Sequence, residues 1–281
     1  MTKEAKFFQV ERDDGVIIWR FYNPPRNLWD NETRMDFQEQ VEDFYKNPDL
    51  RVAVFTSAMP DVFIQHYDVS LLVKRGEELK QQKEPQQIMR RIGFRRDSKP
   101  IVAAINAPLA GGGLEMAMSF DFRFMSRTAS AAQGEVNVGI LPGGGGTQRM
   151  TRLIGLGRAL ELMLTGRRVF ADEAERIGLI TRACDPENLM PQALAFAREL
   201  AARPPLAVSR IRRCIFEGID MPIDDGLALE SELMQELLQS EEALERMRNY
   251  VSTGQKGARE RIEEEKREIE RQWQEKHGKR G

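Results

Sequence analysis

The chain has 281 residues, 41% of them hydrophobic and 31% charged, which allows a sizeable buried core under a well-solvated surface. Its 42 Lys and Arg against 44 Asp and Glu leave a net charge of −2, a balance that argues against nucleic acid as the main partner. Two cysteines, Cys184 and Cys214, cannot build a disulfide framework or a four-ligand zinc site. No apolar run reaches the roughly 18 residues that span a bilayer, and the opening MTKEAKFFQVERDDG has no apolar core of a secretory signal. The expectation is a cytoplasmic chain with no metal, no membrane and no nucleic acid.

Lys6–Glu11 and Val16–Tyr22 are β-rich runs around the turn signal Asp13-Asp14-Gly15 and predict a hairpin, ended by Asn23-Pro24-Pro25. Asp30 or Asn31 caps a helix to about Tyr45, with Met35, Phe37, Val41, Phe44 and Tyr45 on its apolar side and Asn47-Pro48 as its stop. Arg51–Thr56 reads as a buried strand, followed by a short run at Val62–Gln65. Asp68–Arg96 is helical in composition but polar, with Gly76 and Pro85, and reads as broken helices over a site. Ile101–Asn106 is a second buried strand, Gly112–Ser119 a helix and Phe122–Met125 another strand. Val136–Ile140 is short and apolar, and Pro142 with four glycines behind it forces a loop.

This alternation of strand and helix argues for α/β with parallel pairing. After about Met150 strands nearly vanish: Leu156–Leu164, Ala171–Ile177, Met190–Ala202, Leu206–Glu217 and Asp225–Val251 read as helices. The segment Lys256–Lys276 is highly charged, with an Ile262, Ile269, Trp273 stripe and a Glu263/Arg267 pair at i, i+4. It reads as a solvated helix with one packed face, or as a helix that packs on a partner subunit. The domain expectation is an α/β core over 1–200 and a helical region over 201–281 that ends in the charged helix.

Chemistry concentrates in two stretches. In KPIVAAINAPLAGGGLEMAMSFDFRFM a buried strand leads through Gly111-Gly112-Gly113 into a helix. Glycines there let backbone N–H groups approach a ligand closely, and the helix start favours an anion or a developing oxyanion. Glu115, in the first turn, can point at whatever those N–H groups hold. In AAQGEVNVGILPGGGGTQR, Glu135 stands between Gly134 and Val136 in small, apolar surroundings. Two carboxylates converging on one water share acid and base work, because mutual repulsion separates their pKa values. The blander reading, in which the glycines only permit tight packing and Glu115 only complements the helix dipole, stays open on these residues alone. The phosphate-loop, dinucleotide and GxSxG patterns are absent. Of the two histidines, His277 lies in the charged tail and His66 has no serine context for a triad.

Taken together, NPPRNL (Asn23–Leu28), KPIVAAINAPLAGGGLEMAMSFDFRF (Lys99–Phe124), QGEVNVGILPGGGGTQR (Gln133–Arg149) and GRALELMLTGRRVFADEAERIGLI (Gly157–Ile180) resemble the crotonase superfamily, the enoyl-CoA hydratase/isomerase family. Order and spacing agree over roughly Val16–Ile215. The resemblance implies a crotonase-like α/β spiral of repeated ββα units with a C-terminal α-helical trimerisation region, as a homotrimer or a dimer of trimers. It implies an acyl-CoA thioester substrate, with coenzyme A carried as part of the substrate and no separate cofactor. It also implies an oxyanion hole made of the N–H groups of Gly112 and Tyr67, with Glu115 and Glu135 as the catalytic pair. Arg26, Gln65, His66, Asp68, Gly111, Pro142 and Gly143 would line the substrate and its CoA.

One departure stands out. Where the family reads F-C-A-G-A-D, the chain reads Phe63-Ile64-Gln65-His66-Tyr67-Asp68, with His66 in place of a glycine. Either the loop keeps its N–H geometry and the side chains reshape substrate choice, or the loop has shifted and activity is altered. Ala107-Pro108 in place of the common Gly-Tyr is expected to tune the wall of the same site. Hydration of a 2-enoyl-CoA is the leading expectation. The alternatives are an isomerase, lyase or hydrolase on a related thioester, and a non-catalytic CoA-binding scaffold.

Overall fold

The computed structural model describes residues 5–81, 94–95 and 97–277. The chain divides into two compact units, up to Arg212 and from Arg213 onward. In the first, β1 (Phe8–Asp13) and β2 (Val16–Phe21) form the expected hairpin, with Asp13 opposite Val16. Its two turn residues, Asp14 and Gly15, both have positive φ, 43° and 76°, the conformation that a two-residue turn between twisted strands demands. The other strands are β3 (Val52–Ser57), β4 (Ile101–Ile105), β5 (Leu109–Ala110), β6 (Phe122–Ser126), β7 (Ser130–Ala132), β8 (Arg168–Phe170) and β9 (Arg182–Cys184). They build a six-stranded sheet ordered β1-β2-β3-β4-β6-β9, parallel from β2 onward, and a three-stranded sheet ordered β5-β7-β8. With the intervening helices this is the α/β architecture that the sequence predicts.

The central strands are continuous apolar runs because both faces are covered. Alternate residues divide between two cores. Ile17, Trp19, Phe21, Ala53, Phe55, Ile101, Ala103 and Ile105 face one, and Val16, Ile18, Val52, Val54, Val102 and Ala104 face the other. Helix α1 (Asn31–Lys46) covers the first face. Asp30 caps it in a reciprocal box: its carboxylate accepts from Thr33 N–H and Thr33 Oγ1 accepts from Asp30 N–H, both at 2.8 Å. From α1, Phe37 meets Phe8, Trp19 and Phe55 at 5.2 Å between ring centroids. Met35, expected on the apolar side, is instead 59% exposed, and Thr33 and Gln40 are buried.

Helix α2 (Val69–Gln81) follows the loop after β3, and the rest of the polar stretch read as broken helices, residues 82–93 and Arg96, lies outside the described residues. Then come α3 (Gly112–Ala117), α4 (Gly146–Ile154), α5 (Leu156–Thr165), α6 (Ala171–Arg176), α7 (Leu189–Ala201) and α8 (Pro205–Gly218). Leu189, Ala193 and Ala197 of α7 join the second core. Glu135–Val138 is a single 3-10 turn, with Val136, Val138 and Ile140 exposed.

In the second unit, the stretch read as one helix over Asp225–Val251 is two: α9 (Ile223–Leu238) and α10 (Glu241–His277). Ser240 separates them, its hydroxyl accepting from Ala243 N–H at 3.3 Å. Ile262, Ile269 and Trp273 are exposed on α10, and Arg267 donates to the backbone carbonyl of Glu263.

Arg123 on β6 is buried and donates to the carbonyls of Phe120 at 2.8 Å and Leu179 at 2.9 Å. Burial brings its guanidinium down to about 10, so it stays charged at neutral pH. Arg123→Met strips donors from two carbonyls and is expected to cost about 2–4 kcal/mol. A urea titration reads this as a lowered midpoint at unchanged slope; a parent-like midpoint would show that those carbonyls find other donors.

Candidate active site

The loops at the C-terminal ends of β2, β3 and β4 carry the site. Buried Asn27 clamps the first two together: its side-chain amide donates to Phe63 O at 2.6 Å and Ser57 Oγ at 3.0 Å. The chain beyond it zips onto the β3 loop. Gln65 N–H donates to Asn27 O at 3.2 Å, Trp29 N–H to His66 O at 3.0 Å and Asp68 N–H to Trp29 O at 2.8 Å, a parallel bridge between Trp29 and Tyr67. The β4 loop docks beside it through Phe63 N–H to Pro108 O at 3.0 Å and Ala110 N–H to Ile64 O at 3.3 Å. Because a peptide unit is trans, a His66 carbonyl held by Trp29 turns the Tyr67 N–H the opposite way.

That amide adjoins the glycine triplet. A Cβ built on Gly112 would lie 3.3 Å from Tyr67 N and 3.1 Å from Tyr67 Cβ, and one on Gly113 would strike the Ile64 carbonyl at 2.6 Å. Gly111 has φ 50°, and a Cβ there would come within 3.1 Å of Glu135 Oε1. Gly112 opens α3, so its N–H has no acceptor within that helix. The helix is shorter than expected, six residues ending at Ala117.

Glu115, 5% exposed, accepts from Gly146 N–H through Oε1 at 2.7 Å, and its Oε2 occupies the space a Gly144 Cβ would need. Burial raises its pKa, opposed by the Gly146 N–H and reinforced by the charge of Glu135. Glu135 is partly buried, and burial raises its pKa as well, against hydrogen bonds from backbone and from Gln133. Gln133 Nε2 donates to Glu135 Oε1 at 2.8 Å. Among the described residues, Gln133 Oε1 and Glu135 Oε2 are buried without a hydrogen-bond partner. Two carboxyls, both biased toward the proton and coupled by charge, thus stand beside two backbone amides. Among the described residues no group of three metal-ligating side chains occurs.

A family model described as enoyl-CoA hydratase/isomerase matches residues 11–260. The chain belongs to the enoyl-CoA hydratase/isomerase family. Among its relatives, a short-chain-enoyl-CoA hydratase of Clostridium acetobutylicum is 32% identical over 245 residues, 86% of this chain and 93% of that protein. A crotonyl-CoA hydratase of Syntrophomonas wolfei is 30% identical over 227 residues, 79% of this chain and 86% of that one. The crystal structure of an enoyl-CoA hydratase subunit I from Geobacillus kaustophilus HTA426 superposes with a TM-score of 0.79 at 32% identity, covering 89% of this chain and 96% of its own. The fold is therefore the crotonase fold.

Within this family member, the residues singled out by sequence do not all meet. Gly111, Gly112, Tyr67, Glu115 and Glu135 converge, and His66 Cβ lies 3.6 Å from a Gly111 Cβ. Pro142 is buried against Gly146, whereas Gly143 is exposed, with no described residue within 4 Å of a Cβ there. Arg26 reaches Gln65 Oε1 at 3.0 Å and His66 Nε2 at 3.3 Å. The Asp68 carboxylate accepts from Ser70 N–H and Oγ at the start of α2, which holds its pKa low. The Tyr67 hydroxyl donates to Asn31 Oδ1 at 3.2 Å. Sequence reasoning missed Gln133 and Asn27; the one available signal for Gln133 was a polar residue closing the small run before Gly134.

A buried carboxylate with a raised pKa opposes folding once ionised. Its proton-linked stability is fully present below the unfolded value near 4.5 and is lost as pH rises through the raised folded value. Glu115→Gln keeps an acceptor for Gly146 N–H without the charge. The variant is expected to melt above the parent at pH 8, with the gap closing as pH falls through that range; a gap independent of pH would refute this account.

Proposed function

We propose that the chain hydrates a 2-enoyl-CoA, with Glu115 and Glu135 sharing one water. The supporting observation is the pair of desolvated carboxyls, Glu115 buried and Glu135 partly buried and acting on it by charge, beside the Tyr67 and Gly112 amides. The thioester oxygen accepts from Gly112 N–H and Tyr67 N–H. The ionised glutamate takes a proton from water, whose oxygen bonds to C3. The C2=C3 electron pair moves into the thioester as an enolate, which the two amides stabilise. The protonated glutamate then delivers its proton to C2, leaving a 3-hydroxyacyl-CoA. Backbone donors aimed at developing charge in a desolvated site are each worth about 2.7–4 kcal/mol of barrier.

No separate cofactor enters this scheme. Arg26, Gln65, His66, Asp68, Gly111, Pro142 and Gly143 line the thioester and its CoA, with exposed Arg26 offering its cation to the phosphates. The acyl chain is short, in keeping with the relatives' names. The proposal includes a homotrimer or dimer of trimers, supported by exposed Ile223, Leu227 and Met234 on α9, and a cytoplasmic location, supported by two free thiols.

Crotonyl-CoA is expected to gain the mass of one water on incubation with the protein; an unchanged mass with a moved double bond would make the reaction an isomerisation. Glu135→Gln is expected to lower kcat at least about 100-fold, and parent turnover in that variant would overturn the role given to Glu135. Gly112→Ala, whose methyl would stand 3.1 Å from Tyr67 Cβ, is expected to lower kcat at least roughly tenfold by displacing the Tyr67 amide.

A further inference from the structure

The loop residues that depart from the crotonase pattern are wired together. Arg26 Nε donates to Gln65 Oε1 at 3.0 Å, Arg26 Nη2 stands 3.3 Å from His66 Nε2, and His66 Nδ1 stands 2.7 Å from the Tyr67 carbonyl oxygen. A guanidinium only donates and a carbonyl only accepts, so these partners fix the imidazole as the neutral tautomer with its proton on Nδ1. Both ring nitrogens are thereby engaged, which argues against His66 exchanging protons with substrate.

The partner of Nδ1 matters more than the ring. In the parallel bridge, His66 O and Asp68 N–H both face Trp29. The intervening Tyr67 N–H and Tyr67 C=O both face the other way, on the side of Gly112. A carbonyl beside an oxyanion donor presents lone pairs to the charge the donor stabilises. We infer that His66 is a positioning residue: its Nδ1–H holds the Tyr67 carbonyl, so that Tyr67 N–H alone meets the enolate oxygen. Arg26 sets the tautomer and, by polarising the ring, strengthens the Nδ1–H donor. A glycine at position 66 would have no such group, so this tether comes with the bulkier loop. The inference rests on the hydration reading above.

The test uses the full chain with His66→Ala and His66→Asn, the amide nitrogen of Asn lying as far along the side chain as Nδ1. With crotonyl-CoA, His66→Ala is expected to lose about tenfold in kcat at nearly unchanged KM, and His66→Asn to recover most of it. Affinity for acetoacetyl-CoA, read through the absorbance of its enolate, falls in His66→Ala by a larger factor than affinity for saturated butyryl-CoA does, and returns in His66→Asn. Parent kcat in His66→Ala, or an equal fall in both variants, overturns the inference. The mass change of crotonyl-CoA with the parent chain separates the two readings. If no water is added, the hydration reading has failed; if water is added and Glu135→Gln loses turnover while His66→Ala does not, only the role of His66 has.

Discussion

A peptide unit is rigid, so a donor that holds its carbonyl decides where its N–H points. The 3.0 Å bond from Trp29 N–H to His66 O does this for the amide of Tyr67. It depends in turn on the chain around Asn27, whose buried side chain joins the end of β2 to the Phe63 loop. Hydrophobic burial assembles the sheet, but it cannot set an amide vector; only directional bonds between neighbouring loops do. Those loops share an edge because β2, β3 and β4 are adjacent and parallel, so their C-terminal ends open on one side.

The same site carries charge that folding alone would disfavour. Glu115 and Glu135 are both desolvated, and the first also feels the second. The protein offsets part of this with the Gly146 N–H and the Gln133 amide, yet leaves Glu135 Oε2 and Gln133 Oε1 buried without a partner among the described residues. Unmet acceptors are uncommon in stable interiors and are a mark of places built to take up something else.

Much of the frame was legible in the sequence because local chemistry dictated it. Asp14-Gly15 could only be a tight turn, the β3 and β4 runs were apolar without alternation because both faces are buried, and the glycine triplet marked the strand-to-helix junction. Where reading failed, tertiary context decided. Val136–Ile140 is apolar in composition, yet Val136 and Val138 stand exposed on a 3-10 turn. Met35 fell on the apolar side by spacing but lies outward, while Thr33 is buried by its capping bonds. The pairing of Trp29 with Tyr67 carries no local signature, since a single bridge between two loops is set by what surrounds it.

The glycines around the carboxylates are filled space rather than slack. At Gly111, Gly112, Gly113, Gly144 and Gly146 a methyl group would meet another atom at 3.1 Å or less. One wall of the pocket is thus closed to mutation, since any enlargement displaces a reacting group or its support. The adjoining lip is built differently, for there Gln65 and His66 turn their side chains toward Arg26 and the Tyr67 hydroxyl turns toward Asn31. An engineer seeking altered selectivity would vary the Gln65 side chain on that lip before touching the glycines.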